Sequence, residues 1–348
     1  MVKKLRAAVL GATGMVGQKF IQLLENHPWF KVEEVAASER SASKSYSKVA
    51  NWVLSGKMPE NVADLEVKPV KPKALDSVDL VFSALPAEVA RKAEIEFAKS
   101  GFTVLSNASA YRMEPDVPVL NPEVNANHIA LIDEQRRRRK WEGAIVTNPN
   151  CTVAILTLSL KPIFDEFGIS NVIVTTMQAL SGAGYPGVSS IDMLDNVIPF
   201  IPQEEEKVEE ETLKILGPVG KKSSFQISTS CNRVAVMDGH LEAVFVGTKK
   251  KANSVGIISA MESFRGEVQK LRLPSAPVSP IVVRDEENRP QPRLDRMVGK
   301  GMSVVVGRIR KDNVLNGIKY MVLGHNTIRG AAGCSIMNAE LLKVRGYI

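Results

Sequence analysis

Cys151 stands in Thr147-Asn148-Pro149-Asn150-Cys151-Thr152, where an extended run gives way to a helix. A thiol in the first turn of a helix has its thiolate stabilised by the local dipole, so its nucleophilicity at neutral pH rises. An isolated cysteine is more often a small packing residue, which is how Cys231 and Cys334 read. A thiolate that attacks a carbonyl also needs a base, a donor for the oxyanion and cations for an anionic substrate. The chain offers His240 after Met237-Asp238-Gly239, Gln178 before the glycine-rich loop Gly182–Gly187, and the arginines Arg112 and Arg233. Of the other three histidines, His27 and His128 fall on segments that read as surface, and His325 precedes Asn326. No His/Cys/Asp cluster has metal-ligand spacing, so no metal is expected.

A second constellation supplies the partner for that thiol. Gly11-Ala12-Thr13-Gly14-Met15-Val16-Gly17 lies directly between a strand and a helix. Gly11 suits the tight turn, Gly14 the close approach of a pyrophosphate, and Gly17 the packing of helix on sheet. The spacing is GxxGxxG, and the helix N-terminus beyond it favours an anion. Thr13, Met15 and Val16 complete the candidate cofactor turn. About twenty residues on, the second strand ends in Ser38-Glu39-Arg40-Ser41. Ser38, Arg40 and Ser41 suit a 2′-phosphate, which favours NADP(H); Glu39 leaves NAD open. A thiolate beside a nicotinamide implies attack on an aldehyde, hydride loss from the thiohemiacetal, and a thioester passed to phosphate, water or coenzyme A.

The elements that must position these groups alternate over the first ~150 residues. Strands are predicted at Leu5–Leu10, Val32–Ala37, Leu80–Ser83 and Thr103–Leu105, with helices at Met15–Glu25 and Glu88–Lys99. That order argues for a parallel sheet with right-handed crossovers, a Rossmann-type α/β domain over residues 1–150. Lys57–Lys73, with prolines 59, 69 and 72, reads as a connecting excursion. Residues 151–329 read as an α+β domain on a mixed or antiparallel sheet that carries the candidate nucleophile. Its helices are Thr152–Leu160 and the acidic Glu204–Leu216. Its strand signals are Asn171–Met177, Phe225–Val246, Ile281–Val283, Ser303–Ile309 and Tyr320–Leu323. Asp238-Gly239 reads as a hairpin turn. The helix over about 330–348 is expected to pack back on the first domain.

Composition bounds the partners. The 348 residues are 44% hydrophobic and 24% charged, enough apolar content to fill a core. No run approaches the ~20 apolar residues of a membrane span. Three cysteines make no disulfide framework and the N-terminal segment has no export pattern, so the expected compartment is the cytoplasm. The net charge of +7 suits anionic small molecules as well as nucleic acid. The densest basic run, Arg136–Lys140, carries no interleaved aromatics and reads as a solvated helix face, so no nucleic-acid partner is expected.

In order along the chain, GATGMVGQ, AASERSA, FSALP, SNASAYRM, TNPNCT, QALSGAGYPG, EEEK, CNRVAVMDGH, RPQPRLDR, GMSVVVGRIR and HNTIRGAAG resemble the aspartate-β-semialdehyde dehydrogenase family in its archaeal and fungal form. The likeness runs from about residue 5 to the C-terminus. It implies NADPH-dependent reduction of L-4-aspartyl phosphate to L-aspartate 4-semialdehyde with release of phosphate, a step of lysine, threonine and methionine biosynthesis. It also implies a homodimer or homotetramer formed through the second domain's sheet. By position, Cys151 matches the nucleophile, His240 the general acid/base, and Gln178 a residue that orients the acyl group. Arg233 matches the residue gripping the substrate carboxylate. Arg112, Asn107 and Ser109 match the phosphate site, with Lys207 contributing there. Glu204 matches the partner of the substrate amine, and Ser181, Gly182 and Asn326 match the nicotinamide site. Within Glu204-Glu205-Glu206 the residues themselves leave open which glutamate faces a ligand, and Arg233 reads equally as a strand arginine.

Three other functions use similar parts: a malonyl- or succinyl-CoA reductase, an N-acetylglutamyl-phosphate reductase, and a cofactor-binding regulator without catalysis. A glutamate for the substrate amine and a compact phosphate loop favour the aspartyl substrate over the first. Retention of Cys151, Gln178, Arg233 and His240 together argues against the last.

Overall fold

The computed structural model describes residues 3–76 and 78–348. The chain divides into two compact units, one of residues 1–120, 127–149 and 331–348, the other of residues 121–126 and 150–330. Residues 121–126, which the sequence places in the first domain, therefore belong to the second unit.

The first unit holds a six-stranded parallel sheet: β1 (Leu5–Leu10), β2 (Phe30–Ala37), β3 (Val67–Pro69), β4 (Leu80–Ser83), β5 (Thr103–Ser106) and β6 (Ala144–Thr147). Its spatial order is β3-β2-β1-β4-β5-β6, the doubly wound dinucleotide-binding order. β4, β5 and β6 are buried along their whole length, as strands covered on both faces must be. Helices Met15–Leu24, Ala87–Lys99 and Leu131–Arg139 make crossovers. The C-terminal helix Gly333–Val344 also belongs to this unit and is buried from Gly333 to Leu342.

Several sequence expectations need correction here. The proline-rich excursion contains β3, and Pro69 is tolerated because β3 is the sheet edge, where a missing N–H leaves no ladder bond unmade. His27 and His128 are buried, not superficial. The His27 Nε2 lies 2.7 Å from Glu340 Oε1, a partner supplied by the C-terminal helix. Within the basic helix Arg137 is solvated, but Arg139 pairs with Asp116 at 2.5 Å and holds that carboxyl below its usual range.

The second unit is built on a mixed sheet ordered β10-β11-β12-β9-β7-β8. Its strands are β7 (Ile169–Gln178), β8 (Gln226–Arg233), β9 (His240–Thr248), β10 (Ile281–Arg284), β11 (Val304–Asp312) and β12 (Gly317–Gly324). β7 runs parallel to β8 and antiparallel to β9, so β8 and β9 are not a hairpin: β7 lies between them. Asp238-Gly239 thus belongs to a connection that crosses one strand.

The alternation along β7 and β9 sorts the sheet into two faces. Val172, Val174, Thr176 and Gln178 share the buried face with Val246, Val244, Glu242 and His240, and the apolar helix Cys151–Phe167 packs against these strands. The opposite face carries Ile173, Met177, Leu241, Ala243, Phe245 and Met321, all exposed or half-buried. The free edge of β8 is closed by the acidic helix Glu204–Ile215. Glu205 accepts the Cys231 N–H at 2.9 Å and Glu209 the Thr229 N–H at 3.0 Å, which satisfies donors that would otherwise invite another strand. Among the described residues no helix is long and apolar enough to cross a membrane.

Candidate active site

In the second unit Cys151 opens its helix immediately after Asn150. The Asn150 side chain caps the helix, accepting the Thr152 N–H at 2.8 Å. The capping residue is itself fixed from outside. Its N–H donates to Glu211 Oε2 at 2.6 Å and its Nδ2 to Glu204 Oε1 at 2.9 Å. Gly330 presses on the nucleophile's backbone, since a Cβ there would lie 2.7 Å from the Cys151 Cβ.

The Cys151 Sγ lies 3.1 Å from His240 Nε2, joining residues 89 apart in sequence. The other ring nitrogen, Nδ1, accepts the backbone N–H of Ala179 at 3.0 Å. His240 is fully buried, and burial, then the charges of Arg233 and His325, pull its pKa down to about 3. Arg233 donates from Nη1 to the Ala179 carbonyl at 2.7 Å, so the backbone of one residue holds both the histidine and the arginine. Burial lowers the Arg233 pKa from its ordinary value, against the opposing pull of Cys151 and Glu204.

Gln178 donates from Nε2 to Glu204 Oε1 at 3.1 Å. Of the three consecutive glutamates, Glu204 is the one that faces this cluster; Glu205 serves the β8 edge and Glu206 is exposed. Lys207 stands one turn further along the same helix and is half-buried. Gly182 closes the site. A Cβ on it would sit 2.8 Å from Arg233 Nη1 and 3.1 Å from His240 Cε1, so any larger residue would have to displace the guanidinium. Asn326 accepts the Gly239 N–H at 2.9 Å and donates to Ser181 Oγ at 2.8 Å, tying the loop before His240 to the glycine-rich loop.

One row further along the same face, Glu242 is fully buried, and desolvation holds its carboxyl well above the usual range. Cys231 and Cys334 are buried, and burial pushes the Cys231 thiol up to about 12, which leaves it inert.

The first unit gathers its candidates at the carboxyl ends of its parallel strands. After β1, Gly11 takes φ +71°, and a Cβ on Gly17 would lie 2.3 Å from the Gly11 carbonyl oxygen. The helix that follows starts at Gly14 with no side-chain cap and no acidic residue in its first turn, so its leading N–H groups, including those of Met15 and Val16, suit an anion. Thr13 lies in the turn, its carbonyl accepting from Gln18 Nε2 at 3.0 Å. Beyond β2, Ser38 and Arg40 are exposed and Ser41 turns back on the Ser38 carbonyl at 2.8 Å. Glu39 pairs with Lys71 at 2.9 Å.

Beyond β5, the Asn107 carbonyl accepts from Arg112 Nη2 at 2.8 Å, and the Ser109 carbonyl accepts the Arg112 N–H at 3.3 Å. Ser106 supports this loop, accepting the Ala108 N–H at 3.1 Å and donating to Glu94 Oε1 at 2.6 Å. Burial pushes that carboxyl up to about 7, against the pull of Ser106, Ser83 and Arg112. Among the described residues no group of three or more His, Cys, Asp and Glu could hold a metal ion.

Asn150, Glu211, Ala179 and Gly330 were not singled out by sequence. Asn before a helix start is a capping signal that could have found Asn150. Ala179 acts through its backbone, which carries no signal in residue type.

Comparison with known proteins covers both units. Residues 6–132 match the family model described as semialdehyde dehydrogenase, NAD binding domain, and residues 160–329 the one described as semialdehyde dehydrogenase, dimerisation domain. The chain is 57% identical over 339 residues to aspartate-semialdehyde dehydrogenase of Methanothermobacter thermautotrophicus, covering 96% of this chain and 97% of that one. It is 43% identical to malonyl CoA reductase (NADP) of Metallosphaera sedula, covering 100% and 99%. Among solved structures, aspartate semialdehyde dehydrogenase with NADP from Candida albicans superposes with a TM-score of 0.92 at 41% identity, covering 99% of this chain and 100% of that one.

Proposed function

Because the chain belongs to the aspartate-semialdehyde dehydrogenase family, we propose that it reduces L-4-aspartyl phosphate to L-aspartate 4-semialdehyde with NADPH, through a thioester on Cys151, and catalyses the reverse. The observation that carries this reading is the contact of Cys151 with His240 beside a buried carboxylate, Glu204, held by Gln178 and Asn150. Cys151 is the nucleophile and His240 its general acid/base, and the helix start and the Arg233 charge favour the thiolate. Arg233 takes the substrate carboxylate, Glu204 its ammonium, and Gln178 orients the acyl group. Asn107, Ser109 and Arg112, with Lys207, take the phosphate.

The glycine turn fits a dinucleotide, whose bound nicotinamide supplies the hydride. Gly11 and Gly17 keep the turn tight, and Gly14, Met15 and Val16 offer main-chain donors to the pyrophosphate. NADPH is favoured because Arg40, Ser38 and Ser41 are available to a 2′-phosphate while Glu39 is engaged by Lys71. Ser181, Gly182 and Asn326 line the nicotinamide side. The partly exposed apolar face of Ile173, Met177, Leu241, Ala243, Phe245 and Met321 supports a homodimer through the second unit's sheet. Three free cysteines suit the cytoplasm.

The malonyl-CoA-reducing relative makes a CoA acid the competing substrate, and the amine discriminates. Glu204→Gln removes the charge that an ammonium needs but keeps an amide able to bond Gln178 and Asn150. Its KM for aspartate semialdehyde is expected to rise about 10- to 100-fold, the size of a lost charge-assisted hydrogen bond. The KM for malonate semialdehyde, which lacks the amine, is expected to change little. Equal effects on both would count against an amine-binding role.

A further inference from the structure

We infer that a buried ion pair, Glu123 with Arg329, positions the nucleophile by holding Gly330 against the backbone of Cys151. The inference rests on Cys151 being the reacting thiol. Arg329 Nη2 lies 2.7 Å from Glu123 Oε2, and both side chains are wholly shielded from solvent. Taking two charges out of water costs about as much as their attraction returns, so such a pair is weak evidence for stability and calls for another role.

The surroundings of the pair supply one. Glu123 belongs to the short segment 121–126 of the second unit. Asn121 fastens that segment to the helix that Cys151 opens, its Nδ2 donating to the Ala154 carbonyl and to Thr157 Oγ1, each at 2.9 Å. Gln269 Nε2 donates to the other carboxylate oxygen of Glu123 at 3.4 Å, so both oxygens are engaged. At the far end of the pair, Arg329 directly precedes Gly330. A Cβ on Gly330 would lie 2.7 Å from the Cys151 Cβ and 2.9 Å from its Cα, so the two backbones are in close contact. The Gly330 N–H donates to the His325 carbonyl at 3.0 Å, and the adjacent Asn326 accepts the Gly239 N–H before His240.

The links form a closed ring: the nucleophile's helix, Asn121, Glu123, Arg329, Gly330, and back to the first residue of that helix. Asn150 caps the helix through its leading N–H groups, and the ring holds the same turn through the Cα and Cβ of Cys151. The placing of that turn matters twice. It aims the sulfur at the acyl carbon, where a misplacement of about 1 Å is felt as about 100-fold in rate. It also keeps the helix dipole aligned on the thiolate.

The test compares the wild type with the double variant Glu123→Gln/Arg329→Met and with Arg329→Lys. Removing both charges together leaves neither buried alone, so the double variant is expected to fold with a cooperative thermal transition. Its kcat with aspartate semialdehyde is expected to fall about 100-fold, while KM and NADPH affinity stay within about threefold. Without substrate, the pH at which iodoacetamide begins to react with Cys151 should rise by about half a unit, because a loosened helix start stabilises the thiolate less. The pair is net neutral and Arg233 and His240 are untouched, so a direct field effect is not the cause of that shift. Arg329→Lys keeps the charge without the planar fork, and a kcat about 10-fold lower at unchanged KM is expected. Wild-type kcat and an unmoved thiol titration in either variant, whatever the unfolding midpoint, would make the pair a fold element alone and overturn the inference. The thiol readout uses no substrate, so a wrong assignment of the aspartyl substrate would appear separately, as a wild type silent with this aldehyde.

Discussion

Replacing Cys151 with serine is expected to lower kcat by at least about 10,000-fold, the scale on which loss of a covalent nucleophile is felt. The substitution shortens the side chain little and keeps a polar group against His240, so the capping of the helix by Asn150 and the contact with Gly330 are retained. What is lost is the ionised nucleophile: an alcohol is not measurably deprotonated at a helix N-terminus beside a guanidinium, whereas a thiol is. NADPH affinity, measured by fluorescence titration, is expected to stay within about twofold, because the glycine turn belongs to the other unit. The unfolding midpoint should also be unchanged. A variant that loses cofactor binding along with turnover would mean that Cys151 supports the fold and is not the reacting group.

The second large effect is expected from Arg233→Leu. This guanidinium is buried, donates to the Ala179 carbonyl and interacts favourably with the charges of Cys151 and Glu204. Its removal takes away both a grip on the substrate carboxylate and a positive charge that favours the thiolate. Loss of a buried charge-assisted pair costs several kcal/mol, so kcat/KM for aspartate semialdehyde should fall by about 1,000-fold or more. The pH at which iodoacetamide begins to react with Cys151 should move upward by about one unit, the usual effect of deleting a nearby opposite charge. Arg233→Lys should recover the thiol reactivity in greater part than the substrate affinity, since a point charge replaces the charge but not the planar fork. A thiol titration unmoved in Arg233→Leu would confine Arg233 to substrate binding.

How far these groups could be read from sequence follows from what kind of contact each makes. The glycine turn and Cys151 were legible because local chemistry defines them: glycines between strand and helix, and a thiol at a helix start. The parallel order of β1, β2, β4 and β5 followed from alternation of strand and helix. β3 was missed because Pro69 and Pro72 mask a three-residue edge strand whose ladder needs few donors. The Asp238-Gly239 turn was misread because a local turn signal says nothing of the strand inserted between its arms. Burial of His27 depends on Glu340, 313 residues away, and no local pattern announces such a partner. Among the three glutamates the helix register decides which one meets Gln178, and that register is set by the β8 edge, where Glu205 and Glu209 are bound. Ala179, which fixes both His240 and Arg233, works through main-chain atoms common to every residue.

The most direct test of the central claim is the rate of NADP reduction by aspartate semialdehyde, followed by absorbance, with and without inorganic phosphate. Reduction that depends on phosphate and saturates with it is the predicted result, because phosphate must take the acyl group from the Cys151 thioester to complete a turnover. Silence with this aldehyde at every phosphate concentration, together with NADPH oxidation on malonyl- or succinyl-CoA, would contradict the account and give the same cysteine a different substrate.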